Sequence, residues 1–196
     1  MNDHKGFFAM MARMKYIERW ALMRNSVSEN ICEHSLEVAM LAHGFGIIGR
    51  KRFGKDLSPE RLAMLGMYHD CTEIITGDMP TPVKYANDEL KEAYKAIEDS
   101  AAHRLLEMLL EDLRAEYESY FLPEQITPEE YRYVKAADKL SALIKCIEEE
   151  KTGNQEFRSA KQATYESLQQ MNMPEVTVFC EVFLPEYYKT LDELEH

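Results

Sequence analysis

Apolar residues recur at three- and four-residue spacing along most of the chain, which is typical of amphipathic α-helices. This spacing predicts helices over residues 7–23, 31–49, 59–70, 88–120, 128–153 and 154–171. Two of these helices begin with an N-cap residue followed by proline, at Ser58–Pro59 and Thr127–Pro128. The pattern therefore predicts an all-α protein that folds as a single helical domain over residues 1–196.

Two segments interrupt this pattern or leave its interpretation open. Gly77, Pro80 and Pro82 rule out a continuous helix over 76–82, where we expect an ordered loop. The segment 176–180 is β-prone but short and isolated, so a strand and a final helix piece to Leu184 are equally open. The ending 194–196 resembles the remnant of a purification tag, and we give it no functional weight.

The composition restricts the classes of ligand. The 196 residues include 23 Lys plus Arg and 35 Asp plus Glu, which gives a formal net charge of −12. Proteins that bind nucleic acid polymers or anionic membranes use clustered cations, so neither class of partner is expected. A ligand that carries phosphate would need local positive charge, from an Arg, a Lys or a bound metal ion.

The cysteines and the N-terminal sequence bear on the cellular compartment. Cys32, Cys71, Cys146 and Cys180 form no CxxC pair, which argues against a zinc knuckle or a dithiol redox motif. The N-terminus lacks the apolar run of a signal peptide, and no apolar stretch is long enough to span a membrane. We therefore expect a cytoplasmic protein without a membrane partner.

Four residues form a candidate metal-binding set: His34, the adjacent pair His69 and Asp70, and Asp138. Two imidazoles and two carboxylates suit a divalent ion such as Mn, Co, Mg, Zn or Fe, whereas a softer site would contain thiolates. These residues can also be explained without a bound metal ion. His34 could be a core histidine, and Asp138 could pair with a neighbouring lysine on its own helix.

The order His, His-Asp, Asp along the chain resembles that of the HD-domain metal-dependent phosphohydrolases. Further segments resemble the bacterial HD-domain 5'-deoxynucleotidases over nearly the whole chain: Glu18–Trp20, Glu33–Leu36, Tyr68–Glu73, Thr76–Tyr85 and Ala136–Asp138. The resemblance implies an HD-type helical bundle, a homodimer and a deoxyribonucleoside 5'-monophosphate substrate. It implies metal ligation by His34, His69, Asp70 and Asp138. It implies substrate contacts from Arg19, Trp20, Asp70, Asp78, Met79, Pro80, Thr81 and Asp138.

Side-chain chemistry suggests roles for several of these residues. The planar guanidinium of Arg19 can hold two phosphate oxygens at once, and we expect it to act in catalysis. Trp20, predicted beside it in the first helix, could pack against the sugar and leave no room for a 2'-hydroxyl. Glu73 and Asp78 are the candidates for proton transfer, and the sequence does not decide which is the acid and which the base.

Two other functions remain open at this level. One is a different HD-type activity, such as a nucleotide triphosphohydrolase or a cyclic-nucleotide phosphodiesterase. The other is a non-catalytic helical module that senses nucleotides, although such a module would be expected to lose metal ligands, and all four are present here.

Overall fold

The computed structural model describes residues 5–84 and 86–195. Two positions mentioned above, Tyr85 in the matched loop and His196 in the ending, lie outside the described residues. Within the described part, regular secondary structure is helical, with one isolated antiparallel bridge between Glu18 and Asn30. The prediction of an all-α fold is confirmed.

The described α-helices are α1 (Phe7–Met11), α2 (Ile31–Phe53), α3 (Pro59–Tyr68), α4 (Glu73–Thr76), α5 (Thr81–Lys84), α6 (Asp88–Leu106), α7 (Glu111–Phe121), α8 (Pro128–Lys151), α9 (Arg158–Gln170), α10 (Pro174–Val182) and α11 (Leu191–Leu194). Short 3-10 helices follow α1 at Ala12–Tyr16, α7 at Pro123–Gln125 and α10 at Leu184–Tyr188.

Polar caps set the start of the two longest helices. Asn30 accepts hydrogen bonds from the first turn of α2, and Glu33 reaches back to the Asn30 backbone amide to complete a capping box. Thr127 and Glu130 form the same arrangement at the start of α8. Because these side chains satisfy amides that lack partners within the helix, they define where each helix begins.

The main core lies where α2, α3 and α8 pack together. Its fully buried side chains include Val38, Phe45, Leu62, Leu140 and Ile144. Each of the three helices contributes an apolar face, so the polar residues at this junction are held by a rigid scaffold.

Gly66 in α3 permits the close approach of α3 to α2. A Cβ atom at this position would lie 3.0 Å from the Cα and N atoms of Ala39, which is too close for most real contacts. The absent side chain therefore lets the two backbones touch, and this contact brings the end of α3 close to His34 on α2.

The helix predicted over 7–23 is wrong beyond its first turns. The α-helix ends at Met11, a 3-10 helix ends at Tyr16, and the chain then extends to pair with the residues before α2. The Arg19 amide donates to the Glu29 carbonyl at 2.8 Å. This pairing takes the place of helical hydrogen bonds, so Arg19 and Trp20 lie in a loop.

Other helix boundaries differ from the predicted ones because tertiary packing overrides the local sequence pattern. The single helix expected over 88–120 is two helices, since residues 107–110 turn the chain and bury Leu109 beside Leu105 and Phe121. α2 continues past Gly49 to Phe53 and ends at Gly54, whose φ of 64° suits a C-cap.

The structure also shows the conformation of two segments that the sequence predicted as a loop or left undecided. The segment 176–180, for which a strand and a helix were both open, lies within α10. The loop expected over 76–82 is present at residues 77–80, since Thr76 ends α4 and Thr81 begins the short helix α5. In the part of the chain that the structure describes, no helix has the length and apolar character needed to cross a membrane.

Candidate metal centre and phosphate site

The four candidate metal ligands converge from two helices and the turn that follows a third. His34 lies on α2, His69 and Asp70 lie in the turn after α3, and Asp138 lies on α8. The Nε2 atom of His34 is 3.5 Å from Asp70 Oδ2 and 3.3 Å from Asp138 Oδ1. The Nε2 atom of His69 is 3.0 Å from the same Asp70 oxygen. The structure therefore brings the predicted set together.

Hydrogen bonds on the far side of each imidazole determine its tautomer. The Nδ1 atom of His69 is 2.7 Å from the Gly66 carbonyl, which can only accept, so Nδ1 carries the hydrogen. Ser141 donates its single hydroxyl hydrogen to Glu37 at 2.5 Å. The Ser141 oxygen therefore accepts from His34 Nδ1 at 2.9 Å. In both histidines the Nε2 lone pair faces the carboxylates.

This arrangement fits a divalent cation. Both Nε2 atoms are buried, have no hydrogen-bond partner among the described residues, and point towards carboxylate oxygens. Two lone pairs facing anionic oxygens repel each other unless a proton or a cation lies between them. His34, His69 and Asp70 each offer one ligand atom, and these atoms lie within 4.8 Å of one another. The donor set is that of a borderline or hard ion.

The pKa values of Asp70, Asp138 and His34 also favour the binding of a cation. Burial would raise the pKa of Asp70, but the neighbouring His69 holds it well below its ordinary value. For Asp138 burial is likewise outweighed, chiefly by Lys135, and its pKa is also lowered. Burial together with Arg19 lowers the pKa of His34, which favours the neutral imidazole that a metal requires.

Asp138 fits both roles considered for it from the sequence. Its Oδ2 atom pairs with Lys135 Nζ at 3.0 Å, while its Oδ1 atom faces His34. The lysine thus orients the carboxylate and leaves the second oxygen directed at the cluster.

For His69, burial lowers the pKa but the Asp70 carboxylate raises it above its ordinary value.

Arg19 supplies the positive charge beside this acidic cluster. Its side chain is 12% exposed and its guanidinium pairs with Glu29 at 2.9 Å. Burial lowers the pKa of Arg19, but Glu29, Asp70, Asp138 and Asp78, in that order, raise it above the ordinary value. A buried guanidinium within reach of this cluster is suited to bind an anion there.

Glu73 and Asp78, the proton-transfer candidates, both lie near Asp70. Glu73 begins α4 and is 7% exposed, and its Oε2 atom is buried with no hydrogen-bond partner in the described part of the chain. Burial and the charges of Asp70 and Asp78 raise the pKa of Glu73 to about 10. Burial also raises the pKa of Asp78, against the opposing effects of Arg19 and of the nearby Trp20 backbone.

The three remaining predicted contact residues continue the chain from Asp78. Met79 and Pro80 are half-buried, and Thr81 is exposed at the start of α5. The Pro80 carbonyl accepts hydrogen bonds from Val83 and Lys84 at 2.8 and 3.0 Å, which turns the chain into this short helix. The structure places these three residues beside Asp78, and their contacts with a nucleotide remain a prediction.

Three residues of the site were missed from sequence: Glu29, Glu37 and Ser141. Glu37 follows His34 by three residues and Ser141 follows Asp138 by three, which places each on the helical face of a metal-ligand candidate. This three-residue spacing is the sequence signal that could have identified Glu37 and Ser141. Glu29 lies ten residues from Arg19 in an irregular segment, and no spacing rule points to it.

The fold is that of HD-domain phosphohydrolases. An HD-domain phosphohydrolase from Listeria innocua superposes with a TM-score of 0.80 over 96% of this chain and 91% of its own, at 22% identity. A cyanophage S-2L HD phosphohydrolase (DatZ), solved with dA and one catalytic Zn²⁺ ion, superposes with a TM-score of 0.63 over 93% of this chain and 96% of its own, at 21% identity.

Sequence similarity identifies the family within this fold. Residues 6–187 match the family model described as 5'-deoxynucleotidase YfbR-like. A 5'-deoxynucleotidase from Vibrio cholerae serotype O1 is 47% identical over 96% of this chain and 97% of its own length. The 5'-deoxynucleotidase YfbR of Shigella boydii is 45% identical over 96% and 94%. The chain belongs to the YfbR-like 5'-deoxynucleotidase family.

Proposed function

We propose that this protein is a metal-dependent phosphomonoesterase that hydrolyses deoxyribonucleoside 5'-monophosphates to deoxynucleosides and phosphate. One observation carries the proposal. His34, His69 and Asp70 direct three potential ligand atoms to one point, and the buried guanidinium of Arg19 lies within electrostatic reach of the same cluster. Family membership supports both the reaction and the substrate class.

The proposed metal ligands are His34, His69, Asp70 and Asp138. When bound, a divalent cation would polarise the phosphoryl group and lower the pKa of a water molecule. The hydrogen bonds from His34 and His69 to Ser141 and the Gly66 carbonyl keep both Nε2 atoms available. The DatZ structure contains Zn²⁺, which supports zinc as one candidate beside Mn, Co, Mg and Fe.

Arg19 is the proposed phosphate ligand. Phosphate-ester cleavage spreads negative charge over the equatorial oxygens, so catalysis depends mainly on positioning and on cationic stabilisation. A guanidinium offers two parallel donors to a phosphate and stays charged throughout. Arg19 therefore explains how a protein with a net charge of −12 accepts an anionic substrate at this one place.

Glu73 is the proposed proton donor to the leaving 5'-oxygen. Burial beside two carboxylates keeps this side chain protonated at neutral pH, which is the state a general acid requires. Burial raises the pKa of Asp78, but the charge of Arg19 opposes this shift and favours the ionised form that can accept a proton. We therefore propose Glu73 as the acid and Asp78 as the base, the two roles that the sequence left undecided.

Trp20 is the proposed determinant of the deoxyribose preference. It follows Arg19 directly, its ring centroid lies 5.7 Å from the Arg19 guanidinium carbon, and its backbone lies near Asp78. A flat side chain against C2' would exclude a 2'-hydroxyl by shape, a discrimination worth up to about a hundredfold. Met79, Pro80 and Thr81 would complete the nucleotide contacts.

The assembly and the cellular location are also proposals. The resemblance to bacterial 5'-deoxynucleotidases supports a homodimer in the cytoplasm. The acidic surface supports a small-molecule substrate in preference to a nucleic acid polymer, because polymer binding needs clustered cations.

A substrate panel tests the proposed reaction. Protein loaded separately with Zn, Mn, Co and Mg is incubated with matched deoxyribo- and ribonucleoside monophosphates, and released phosphate is measured. We expect phosphate from deoxynucleotides, a loss of this activity in Asp70→Asn, and no loss in the exposed control Asp56→Asn. Absence of phosphate release by the wild-type protein with every metal would refute the proposal.

Other nucleotides separate the remaining activities. Pyrophosphate or triphosphate released from a nucleoside triphosphate, or a linear product from a cyclic nucleotide, would indicate a different HD-type reaction. A protein that binds nucleotides but holds no divalent metal and gives no product would instead be a nucleotide-sensing module.

A further inference from the structure

We infer that Glu29 is a positioning residue that holds Arg19 and Trp20 in one fixed arrangement and thereby couples phosphate binding to the choice of sugar. The inference rests on the proposed function, because it concerns the same site. Glu29 lies in the irregular segment before α2 and touches both side chains.

A single oxygen of Glu29 accepts both hydrogen bonds. The Oε2 atom accepts from Arg19 NH1 at 2.9 Å and from the Trp20 indole nitrogen at 2.8 Å. The side chains of Arg19 and Glu29 are 12% and 13% exposed, so solvent competes little for this pair. Rotation of either partner would break a charge-assisted hydrogen bond, and such bonds are the stronger class.

The backbone at Trp20 needs this restraint. Its φ of 60° lies in the left-handed region, which is sterically unfavourable for a residue with a side chain. This conformation places the indole nitrogen against Glu29. Strain of this kind persists where surrounding contacts over-determine the conformation, and it is common at functional sites.

Glu29 also relates this pair to the metal centre. Its Oε1 atom is 3.8 Å from His34 Nδ1, on the side of the imidazole away from Asp70. Its backbone carbonyl accepts the Arg19 amide at 2.8 Å. The residue is therefore fixed at both its main chain and its side chain, and it can transmit a defined position to Arg19 and Trp20.

The loop has separate anchors that do not involve the Glu29 side chain. The Ser26 and Val27 amides donate to the Glu149 carboxylate on α8, and Lys145 donates to the Val27 carbonyl. Loss of the Glu29 carboxylate therefore leaves the loop attached to α8. We expect the variant to fold while Arg19 and Trp20 lose their common hydrogen-bond acceptor.

Three variants separate positioning from a general structural effect. Glu29→Ala removes the acceptor, and Glu29→Gln keeps an amide oxygen that can accept both hydrogen bonds without the negative charge. Glu18→Gln is the matched control, because it makes the same charge change next to Arg19 at an exposed side chain. Circular dichroism and metal titration establish that each variant folds and binds metal.

Fluorescence reports on the indole directly. Trp20 is the sole tryptophan of the chain, so emission and acrylamide quenching describe this residue alone. We expect a larger quenching constant in Glu29→Ala than in the wild type, an intermediate value in Glu29→Gln, and the wild-type value in Glu18→Gln. A folded Glu29→Ala protein with wild-type quenching would overturn the inference.

Kinetics report on the coupling. We expect kcat/KM for a deoxynucleoside monophosphate to fall about tenfold or more in Glu29→Ala, the size of effect typical of a lost hydrogen bond to a charged group. The ratio of deoxy to ribo activity should fall too, with partial rescue in Glu29→Gln. An unchanged ratio would overturn the inference. A wild-type protein without phosphatase activity would instead refute the proposed function, and the quenching data would still decide whether Glu29 holds Trp20.

Discussion

Replacing Ser141 by alanine tests whether the hydrogen bonds behind His34 prepare it to bind a metal ion. The substitution removes the acceptor 2.9 Å from His34 Nδ1 and the donor 2.5 Å from Glu37. Without Ser141, the His34 imidazole is free to place its hydrogen on Nε2, the atom that must carry the lone pair for ligation. Metal binding would then include the cost of restoring the correct tautomer.

The expected magnitude follows from these two lost contacts. His34 is fully buried, so water cannot readily replace the serine hydroxyl. Loss of the partner behind a metal-ligating histidine typically weakens metal binding about 10- to 100-fold, which is about 1.4–2.7 kcal/mol. Glu37 loses a hydrogen bond that opposes the effect of burial, which already raises its pKa to about 7.

The assay is a titration of metal-free protein with Zn²⁺ or Co²⁺ in competition with a chelator. Ser35→Ala is the matched control, because Ser35 is buried beside His34 and its hydroxyl has no hydrogen-bond partner among the described residues. We expect weaker metal binding in Ser141→Ala and unchanged binding in Ser35→Ala. Equal affinity in the wild type and in Ser141→Ala would refute the reasoning.

Three further predictions concern packing, ionisation and substrate choice. Gly66→Ala should lower the free energy of unfolding by about 1–3 kcal/mol in denaturant titrations because its Cβ would strike α2. Gly44→Ala, which meets no atom within 4 Å, should raise that free energy instead. Glu73 has a pKa of about 10 in the folded state against an ordinary 4.5, so it destabilises the metal-free protein increasingly as the pH rises between these values. Glu73→Gln should therefore stabilise metal-free protein more at pH 8 than at pH 5, and equal stabilisation at both would contradict this pKa. Trp20→Ala should reduce the deoxy-to-ribo activity ratio more than it reduces metal affinity, and an unchanged ratio would exclude the proposed role.

The local signals in the sequence were accurate where the chain forms long helices. The caps at Ser58 and Thr127 are both present, and each begins the helix that the pattern predicted. Capping and amphipathic spacing are properties of neighbouring residues, so they can be interpreted without knowledge of the rest of the chain.

The errors lie where distant contacts decide the backbone conformation. Residues 17–23 continue the apolar spacing of a helix, yet the chain extends at Glu18 to pair with Asn30. At Trp20 the backbone is left-handed, which no helical pattern predicts for a tryptophan. The break after Leu106 has no glycine or proline to mark it and follows from the burial of Leu109 beside Leu105 and Phe121.

The sequence by itself determined the helical class, the main caps and the chemical types of the metal-ligand candidates, because these depend on residue identity and short-range spacing. Only the tertiary structure decided that His34, His69, Asp70 and Asp138 meet, since that requires α3 to touch α2 at Gly66. It also decided the tautomer of His34 through Ser141, and the two hydrogen bonds by which Glu29 holds Arg19 and Trp20. These contacts join residues far apart in the chain, and their geometry follows from packing in three dimensions.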